Sequence, residues 1–378
     1  MKNKLKKLQE FLKDIEYGYM DKSKETKTVI DKSFESTYIL QNPKEVYKNK
    51  IGTCWDQVEL ERYILEEQDI QISSFFIVHY DNNKCPTHTF ITIADKDKIY
   101  WFENSWEAYK GIHEYNNIYE LLNDVKDKFI DKELKSNYVS KNLVIYKYEK
   151  PQSHINIEEF YKHCESGIKI NIPSENLLFH IKTTVNNEYQ KNDSGHQLPH
   201  INYVVNRAFN ISLNIKETLD QEILYTAATY HDIAHHKNKK EHHILSAKYV
   251  KNNIFLKNYF NQEELSLIIE VIEDHRASNK ETPRNIYGKI LSTADRGTDI
   301  KTIIKRSYNY AISINKNLTQ EEIIKQSYNH IKDKYGSEGY AKNKIYFEDE
   351  QYHKFLKEIN NLLKDYESFK KEYIKIIK

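Results

Sequence analysis

A histidine and an aspartate stand side by side in the segment YHDIAHH, which covers residues 230–236. The run before it, DQEILYTAAT, has apolar residues at helical spacing and predicts a buried helix that ends at this His231-Asp232 pair. A buried imidazole and a buried carboxylate are strongly unfavourable unless they are paired or bound to a metal ion. The pair therefore requires partners from other parts of the chain.

Two further segments offer such partners. His200 begins a predicted helix in PHINYVVNRAF, and Asp295 lies on another predicted helix in YGKILSTADRGTDI. Together with the doublet, they provide two nitrogen and two oxygen ligands from three helices. Mixed imidazole and carboxylate sets suit a divalent transition metal or Mg²⁺, with positions left open for water and a substrate oxygen.

The order of these residues resembles the HD-domain phosphohydrolase superfamily, from about residue 178 to residue 310. The matching motifs are Gly195-His196-Gln197 followed by His200, then His231-Asp232-Ile233, then Ala294-Asp295-Arg296. Two departures from the family pattern stand out. Gln197 replaces the usual Asp, and DRGTD replaces the more frequent Asp-Arg-Leu-Asp, so the substrate class of close relatives is not carried over.

The resemblance implies an all-α, metal-dependent phosphohydrolase acting on a nucleotide or another small phosphoester. It assigns His200, His231, Asp232 and Asp295 to a divalent metal ion, with Asp232 also counted among the catalytic residues. The metal would polarise the phosphoryl oxygen and activate water for attack at phosphorus. Its identity is open among Mn, Fe, Mg, Ni and Zn.

Other polar residues near these motifs have more than one interpretation. His243 and His275 either contact phosphate, complete a second metal position, or are surface or satisfied histidines. Arg296 either clamps a phosphate or pairs structurally with its neighbouring aspartate. His235 and His236 are expected in an exposed loop because KNKK follows them. His196 is expected to hydrogen-bond a metal ligand rather than the metal itself.

The first half of the chain contains a candidate nucleophile in KIGTCWDQVELERYIL. Cys54 precedes an amphipathic helix, and the dipole and free N–H groups of a helix N-terminus lower a thiol pKa. His88 begins one predicted strand and Glu103 lies near the end of the next, so the acid can fix the imidazole tautomer. Asn104 is an alternative to Glu103. The alternative interpretation of Cys54 is a buried apolar residue.

This arrangement resembles the transglutaminase-like branch of the papain-like superfamily, over about residues 45–150. The matching motifs are Cys54-Trp55-Asp56, His88-Thr89-Phe90 and Trp101-Phe102-Glu103. An Asp is common where this chain has Glu103. The resemblance implies an α+β domain that either uses Cys54 as a nucleophile or binds a protein or peptide partner without cleaving it.

The composition of the chain changes near residue 150 and predicts two domains. Strand-like runs cover residues 71–80, 87–95, 98–106 and 141–150, and helical patterns cover 56–67 and 118–129. We expect an α+β domain over residues 1–150, a connector over 151–173, and an all-α domain over 174–378. Apolar spacing in the last segment predicts one long C-terminal helix.

Charge and cysteine content exclude several classes of function. Charged residues make up 30% of the 378 and the net charge is +1, so no overall field attracts nucleic acid or an anionic membrane. No signal-peptide core or membrane-spanning segment is evident. Three cysteines at unrelated spacings argue against a disulfide framework. We expect a cytoplasmic protein.

Two functions of different classes follow. The first is a metal-dependent phosphohydrolase whose N-terminal domain binds a partner or part of the substrate. The second is a cysteine-dependent amidase, peptidase or acyl transferase that acts through Cys54, with the metal domain in a regulatory role. Both activities could reside in one chain.

Overall fold

A computed structural model describes residues 1–81, 85–135, 138–215, 217–314, 317–341 and 345–378. The chain forms two compact units, Met1–Glu175 and Asn176–Lys378. Each unit has an apolar core of its own. In the described residues, the first unit is an α/β region built on a sheet and the second is entirely helical.

The first unit combines short N-terminal elements with a larger sheet. Its helices are α1 (Lys2–Leu12), α2 (Phe34–Thr37), α3 (Pro43–Asn49), α4 (Cys54–Glu66), α5 (Ile118–Phe129) and α6 (Ile157–Glu165). Its strands are β1 (Glu16–Tyr17), β2 (Tyr19–Met20), β3 (Thr26–Lys27), β4 (Ile51–Gly52), β5 (Ser73–His79), β6 (Thr87–Asp95), β7 (Lys98–Glu103), β8 (Gly111–Tyr115), β9 (Leu143–Tyr148) and β10 (Ile168–Ile170).

Six strands form an antiparallel sheet in the order β10-β9-β5-β6-β7-β8. Strands β5, β6, β7 and β9 correspond to the four runs that the sequence predicted. Almost every residue of β5, β6 and β7 is buried, which explains why these strands have continuous apolar runs rather than an alternating pattern. Helix α4 packs against β6 and so brings Cys54 to the sheet.

The segment expected to be a connector, residues 151–173, contains regular structure of the first unit. Strand β10 pairs with β9 at the edge of the sheet. Helix α6 buries Phe160 and Cys164 completely, and the Phe160 ring stacks on Trp55 with 4.5 Å between centroids. Both elements are short and amphipathic, so each needs the sheet in order to bury its apolar residues.

The second unit is a set of helices joined by short loops. They are α7 (Glu175–Tyr189), α8 (Leu198–Ser212), α9 (Gln221–Tyr230), α10 (His242–Asn252), α11 (Ile254–Tyr259), α12 (Gln262–Asp274), α13 (Ile286–Ala294), α14 (Ile300–Ile314), α15 (Gln320–Tyr335), α16 (Glu350–Leu362) and α17 (Tyr366–Ile377). Asn261 and Thr319 begin α12 and α15 with capping boxes. Within the described residues, every helix is too short or too polar to cross a bilayer.

The C-terminal segment is divided into two helices instead of the one long helix that its spacing predicted. Helix α16 ends before Leu363, and Asp365 caps α17 by accepting a hydrogen bond from the Ser368 backbone N–H at 2.8 Å. The apolar spacing continues through the break because both helices face the same core.

Candidate functional site

The residues predicted to bind metal lie at the ends of helices in the second unit. His200 lies in the first turn of α8, whereas His231 and Asp232 directly follow α9 and Asp295 directly follows α13. The C-terminal end of a helix carries partial negative charge, which favours a cation. Two helix ends of that polarity therefore meet at these residues.

These four side chains converge on one point. The Nε2 atom of His200 lies 3.0 Å from Asp295 Oδ1 and 3.7 Å from Asp232 Oδ2. The Nε2 atom of His231 lies 3.5 Å from Asp232 Oδ2 and 3.7 Å from Asp295 Oδ1. Both nitrogens are buried without a hydrogen-bond partner in the described chain. Such an arrangement suits ligands of a shared cation.

The second oxygen of Asp232 faces two other histidines. Asp232 Oδ1 lies 3.1 Å from His242 Nε2 and 3.6 Å from His275 Nε2, and these two nitrogens are 3.2 Å apart. The position expected for His243 is therefore occupied by His242, while His243 is only partly buried. Helical spacing was the available signal, because His242 shares the buried face of α10 with Ser246.

The same kind of hydrogen bond orients three of these histidines: each Nδ1 contacts the backbone carbonyl of the residue three positions earlier. The Nδ1 contacts are His231 to Ala228 O at 2.7 Å, His242 to Lys239 O at 2.9 Å and His275 to Ile272 O at 2.6 Å. A carbonyl oxygen only accepts, so Nδ1 carries the proton and donates in each case. The Nε2 atoms are then available as ligands, which is the orientation that metal-binding histidines require.

The two carboxylates of the cluster favour positive charge: burial opposes a charge on His231, but Asp232 and Asp295 raise its pKa to about 10. Burial lowers the pKa of His200 and His242 to about 4, so both imidazoles are neutral near neutral pH. Burial opposes a charge on Asp232 as well, but His231 holds the pKa of that carboxyl well below its usual value. The described residues thus include His/Asp groups positioned to hold a metal ion.

Arg296, a predicted phosphate clamp, has structural contacts in the fold. Its Nη1 donates to the carbonyl of Ala341 at 3.3 Å. Its guanidinium lies over the rings of Tyr346 and Tyr352, 5.8 and 5.5 Å from their centroids. These contacts direct the charge towards Ala341, Tyr346 and Tyr352, and none of them is the predicted pair with the neighbouring aspartate.

His235 is buried rather than exposed. Its ring stacks on His196 with 3.8 Å between centroids and an interplanar angle of 18°. His196 Nδ1 lies 2.8 Å from Asp193 Oδ1, and no contact from it to a predicted metal ligand occurs within hydrogen-bonding distance in the described residues. Although Asp193 could join the two rings around a cation, stacked imidazoles do not aim their in-plane lone pairs at one point.

Asn192 is a positioning residue that the sequence reasoning missed. Its buried side chain donates to the carbonyls of Asp232 at 2.9 Å and His196 at 3.0 Å, and it accepts from the backbone N–H of His236 at 2.9 Å. It therefore ties the loop before α8 to the backbone of the doublet. Its polar surroundings, QKNDSGH, contain no signal that distinguishes it from a loop residue.

In the first unit, Cys54 is the first residue of α4 and is buried. Thr53 and Asp56 form the capping box of this helix, in which Thr53 N–H donates to Asp56 Oδ2 at 2.9 Å. Asp56 Oδ1 also accepts from Gln41 N–H at 2.8 Å and from the Tyr38 hydroxyl at 3.2 Å. Burial raises the pKa of Asp56 to about 6. The hydrogen bonds of Asp56 thus connect the start of α4 to Tyr38 and Gln41.

His88 and Glu103 form a buried pair beside this thiol. His88 Nε2 lies 2.8 Å from Glu103 Oε2, and Glu103 Oε1 accepts from the backbone N–H groups of Ser105 and Trp106, both at 2.7 Å. Burial alone would lower the pKa of His88, but Glu103 and the nearby Cys54 raise it to about 9. The predicted nucleophile, base and acid are therefore close together.

The partner of the imidazole is Glu103 rather than Asn104. The Asn104 side chain donates instead to Gln57 Oε1, at 2.7 Å. Tyr17 was not predicted as a neighbour of the thiol; it lies on strand β1 and is 45% exposed. Strand β1 places Tyr17 opposite Gly52, two residues before the cysteine.

Comparisons with known proteins bear on the second unit. Residues 200–297 match the family model of the HD domain. Among solved structures, the chain is similar to a predicted HD superfamily hydrolase from an uncultured Thermotogales bacterium. Sequence identity is 21%, the alignment covers 40% of this chain and 83% of that chain, and the TM-score is 0.28, which is too low to carry an argument. No curated protein sequence matches the chain.

The family match does not extend to the first unit, whose transglutaminase-like character stays a prediction. In the second unit, the match begins at His200 and ends two residues after Asp295, so it spans the whole cluster around Asp232. The similarity to the HD domain thus covers residues 200–297 of this chain.

Proposed function

We propose that the second unit is a metal-dependent phosphohydrolase that acts on a nucleotide or another small phosphoester. HD domains bind divalent metals, and the match over residues 200–297 supports this class of chemistry. We assign His200, His231, Asp232 and Asp295 to a first metal position, and Asp232, His242 and His275 to a second.

The observation that carries this proposal is the double role of Asp232. Its Oδ2 atom faces His200 and His231, and its Oδ1 atom faces His242 and His275. A carboxylate with one oxygen towards each of two histidine groups is suited to bridge two cations. Two-metal hydrolytic sites hold their ions about 3.5–4 Å apart, which one carboxylate can span.

Divalent ions in these positions would supply Lewis acidity to a phosphoryl oxygen and to water. The chain's own contribution is to keep the ligands oriented and to keep His200 neutral. Nδ1 bonds to backbone carbonyls direct the Nε2 atoms of His231, His242 and His275 towards the shared carboxylate. Burial keeps His200 neutral, so its Nε2 lone pair is available.

Hydrolysis of a panel of nucleotides and generic phosphoesters, with Mn²⁺ or Mg²⁺ and with metal analysis of the same samples, tests this proposal. Asp232→Ala should lose measurable turnover and bound metal together, because both positions share this carboxylate. Asp333→Ala removes an exposed carboxylate on α15 and should retain both.

Two results would count against the proposal. If the metal-loaded wild type hydrolyses nothing on the panel, the second unit is reduced to a metal-binding module. If Asp232→Ala retains turnover, the reaction takes place away from this cluster.

A second candidate function belongs to the first unit and is favoured by the 2.8 Å contact between His88 and Glu103. We propose that Cys54 attacks the carbonyl carbon of an amide. The amine would leave with the proton that His88 took from the thiol, and water or another nucleophile would then release the acyl group. A peptide or protein would be the substrate or partner.

Alkylation by iodoacetamide, followed by mass spectrometry, tests this second candidate. Cys85 is exposed and serves as an internal reference, whereas Cys54 and Cys164 are both buried. An active triad should make Cys54 react faster than Cys85 in spite of its burial. If Cys54 reacts as slowly as Cys164, the cysteine is a buried apolar residue.

A further inference from the structure

Arg306 is an arginine of the second unit whose charge has no acidic partner among the described residues. It lies on α14 and is partly buried. Its Nη2 donates to the backbone carbonyl of Gly195, and its Nε is buried without a hydrogen-bond partner. Within the described residues, no carboxylate lies within ion-pair distance of it. A guanidinium in this state is costly unless an anion neutralises it.

The fold keeps this guanidinium close to the metal ligands. A side chain at Gly195 would bring its Cβ within 3.1 Å of Arg306 Nε, so the glycine permits the arginine to lie across the loop that leads into α8. Gly195 stands five residues before His200, in the loop that leads into α8. The hydrogen bond from Arg306 to Gly195 therefore holds the guanidinium against the loop that leads to a proposed ligand.

Other cations near the cluster are occupied. Arg296 is directed towards Ala341 and the tyrosine rings, and Lys239 lies 3.4 Å from Asp193 Oδ2. Arg276 donates to the carbonyl of Lys240. Two divalent ions would add positive charge beside Arg306, so the need for an anion there increases when the site is loaded.

We propose that Arg306 binds a non-bridging oxygen of the substrate's phosphoryl group, with Gly195 holding the guanidinium in place. This inference rests on the proposed phosphohydrolase function and deepens it by naming the phosphate-binding side chain. A guanidinium recognises phosphate through several N–H donors in one plane, and the Nε donor of Arg306 has no hydrogen-bond partner among the described residues.

Binding of inorganic phosphate to the Mn²⁺-loaded protein, measured by calorimetry, tests the inference without requiring turnover. Arg306→Gln should weaken phosphate binding at least about tenfold, as expected for loss of a charge-assisted contact. Its metal content should equal that of the wild type. Lys305→Gln removes the same charge from the neighbouring, exposed position of α14 and should bind phosphate as the wild type does.

A second measurement does not depend on the folding of a variant. Phenylglyoxal modifies accessible arginines, and mass spectrometry maps the modified positions. Phosphate should protect Arg306 in the metal-loaded wild type, whereas Arg284, which is exposed and paired with Glu273 and Asp274, should be modified equally with and without phosphate.

Several outcomes would overturn the inference. These are wild-type phosphate affinity in Arg306→Gln, no phosphate binding by the loaded wild type, and loss of metal from the variant, which would make Arg306 a structural clamp of the Gly195 loop. Failure of the proposed function gives a different pattern. Phosphate would then still bind and protect Arg306, while no phosphoester on the panel is hydrolysed.

Discussion

Two adjacent histidines, His242 and His243, differ in their relation to Asp232. The Nε2 atom of His242 lies 3.1 Å from Asp232 Oδ1, whereas His243 is only partly buried, and among the described residues no ion pair joins it to that carboxylate. We predict that His242→Gln lowers the metal content from two equivalents per chain towards one. His243→Gln should leave it unchanged. Elemental analysis after dialysis against a defined metal concentration measures both.

The pair is a matched comparison, because the same substitution is made at neighbouring positions of one helix. Equal metal loss in both variants would contradict the assignment of His242. Equal retention would mean that His275 and Asp232 hold the second ion without it.

The His88–Glu103 pair should make the stability of the first unit depend on pH. The pKa of His88 is raised from 6.5 to about 9, so its contribution is complete below about pH 6.5 and is lost as pH rises through about 9. The pKa of Glu103 is lowered, because His88 outweighs burial, so its contribution is present above 4.5 and is lost as pH falls. Glu103→Gln should therefore destabilise most at about pH 5–6.5.

The expected destabilisation is about 2–3 kcal/mol at pH 6 and much less at pH 10. Urea unfolding followed by tryptophan fluorescence measures it, because Trp55, Trp101 and Trp106 all lie in the first unit. Glu114→Gln, at an exposed position of β8, is the control and should have little effect at either pH. Equal destabilisation by Glu103→Gln at both pH values would rule out the charged pair.

At the scale of elements, strands that are buried on both faces were predictable from the sequence. Elements that depend on tertiary contacts were not. Strands β5, β6, β7 and β9 have apolar runs long enough to identify from sequence. Strand β10 has three residues, two of them exposed, and exists because the edge of β9 is available to it. The sequence did not predict the break between α16 and α17, because the apolar spacing continues through Asp365, the residue that caps α17.

The candidate sites were predictable to a similar extent. Residue type and order identified the cluster around Asp232, because its ligands lie at the starts and ends of apolar helices. The choice between His242 and His243 depends on the rotational phase of α10, and the burial of His235 depends on a loop folding back onto His196. Neither the rotational phase of α10 nor the path of that loop can be inferred from the local spacing of residues.

The capping box of α4 connects this helix to the rest of the first unit through Asp56. This buried carboxylate accepts from Thr53, Gln41 and Tyr38. Asp56→Asn would place an amide N–H₂ against these donors. We predict a loss of about 2–4 kcal/mol of unfolding free energy, since each buried donor left unpaired costs about 1–3 kcal/mol. Tryptophan fluorescence during urea unfolding measures it.

The exposed capping box of α6, formed by Asn156 and Glu159, provides the comparison. Glu159→Gln should cost no more than about 1 kcal/mol, because water replaces the lost contact. If Asp56→Asn lowers the unfolding free energy no more than this control does, the carboxylate does not fix the start of α4. Asp56 would then not position Cys54 either.

For the whole molecule, the two units should respond differently to metal. Every proposed ligand lies in Asn176–Lys378, and each unit has its own core. Binding to the native state alone stabilises by about 2.7 kcal/mol at a metal concentration of 100 Kd, which shifts the Tm of a unit of this size by about 5–10 °C. We predict this shift in the helical circular dichroism and less than about 1 °C in tryptophan fluorescence.

Asp232→Ala provides the control, because its helical transition should be insensitive to added Mn²⁺. If the tryptophan transition of the wild type moves with the helical one, the two units unfold as a single cooperative body and metal binding stabilises both. In that case, occupancy of the metal site would also influence the stability around Cys54, and alkylation rates measured with and without Mn²⁺ would quantify the effect. If the transitions separate, the two candidate activities can be measured independently in the full chain.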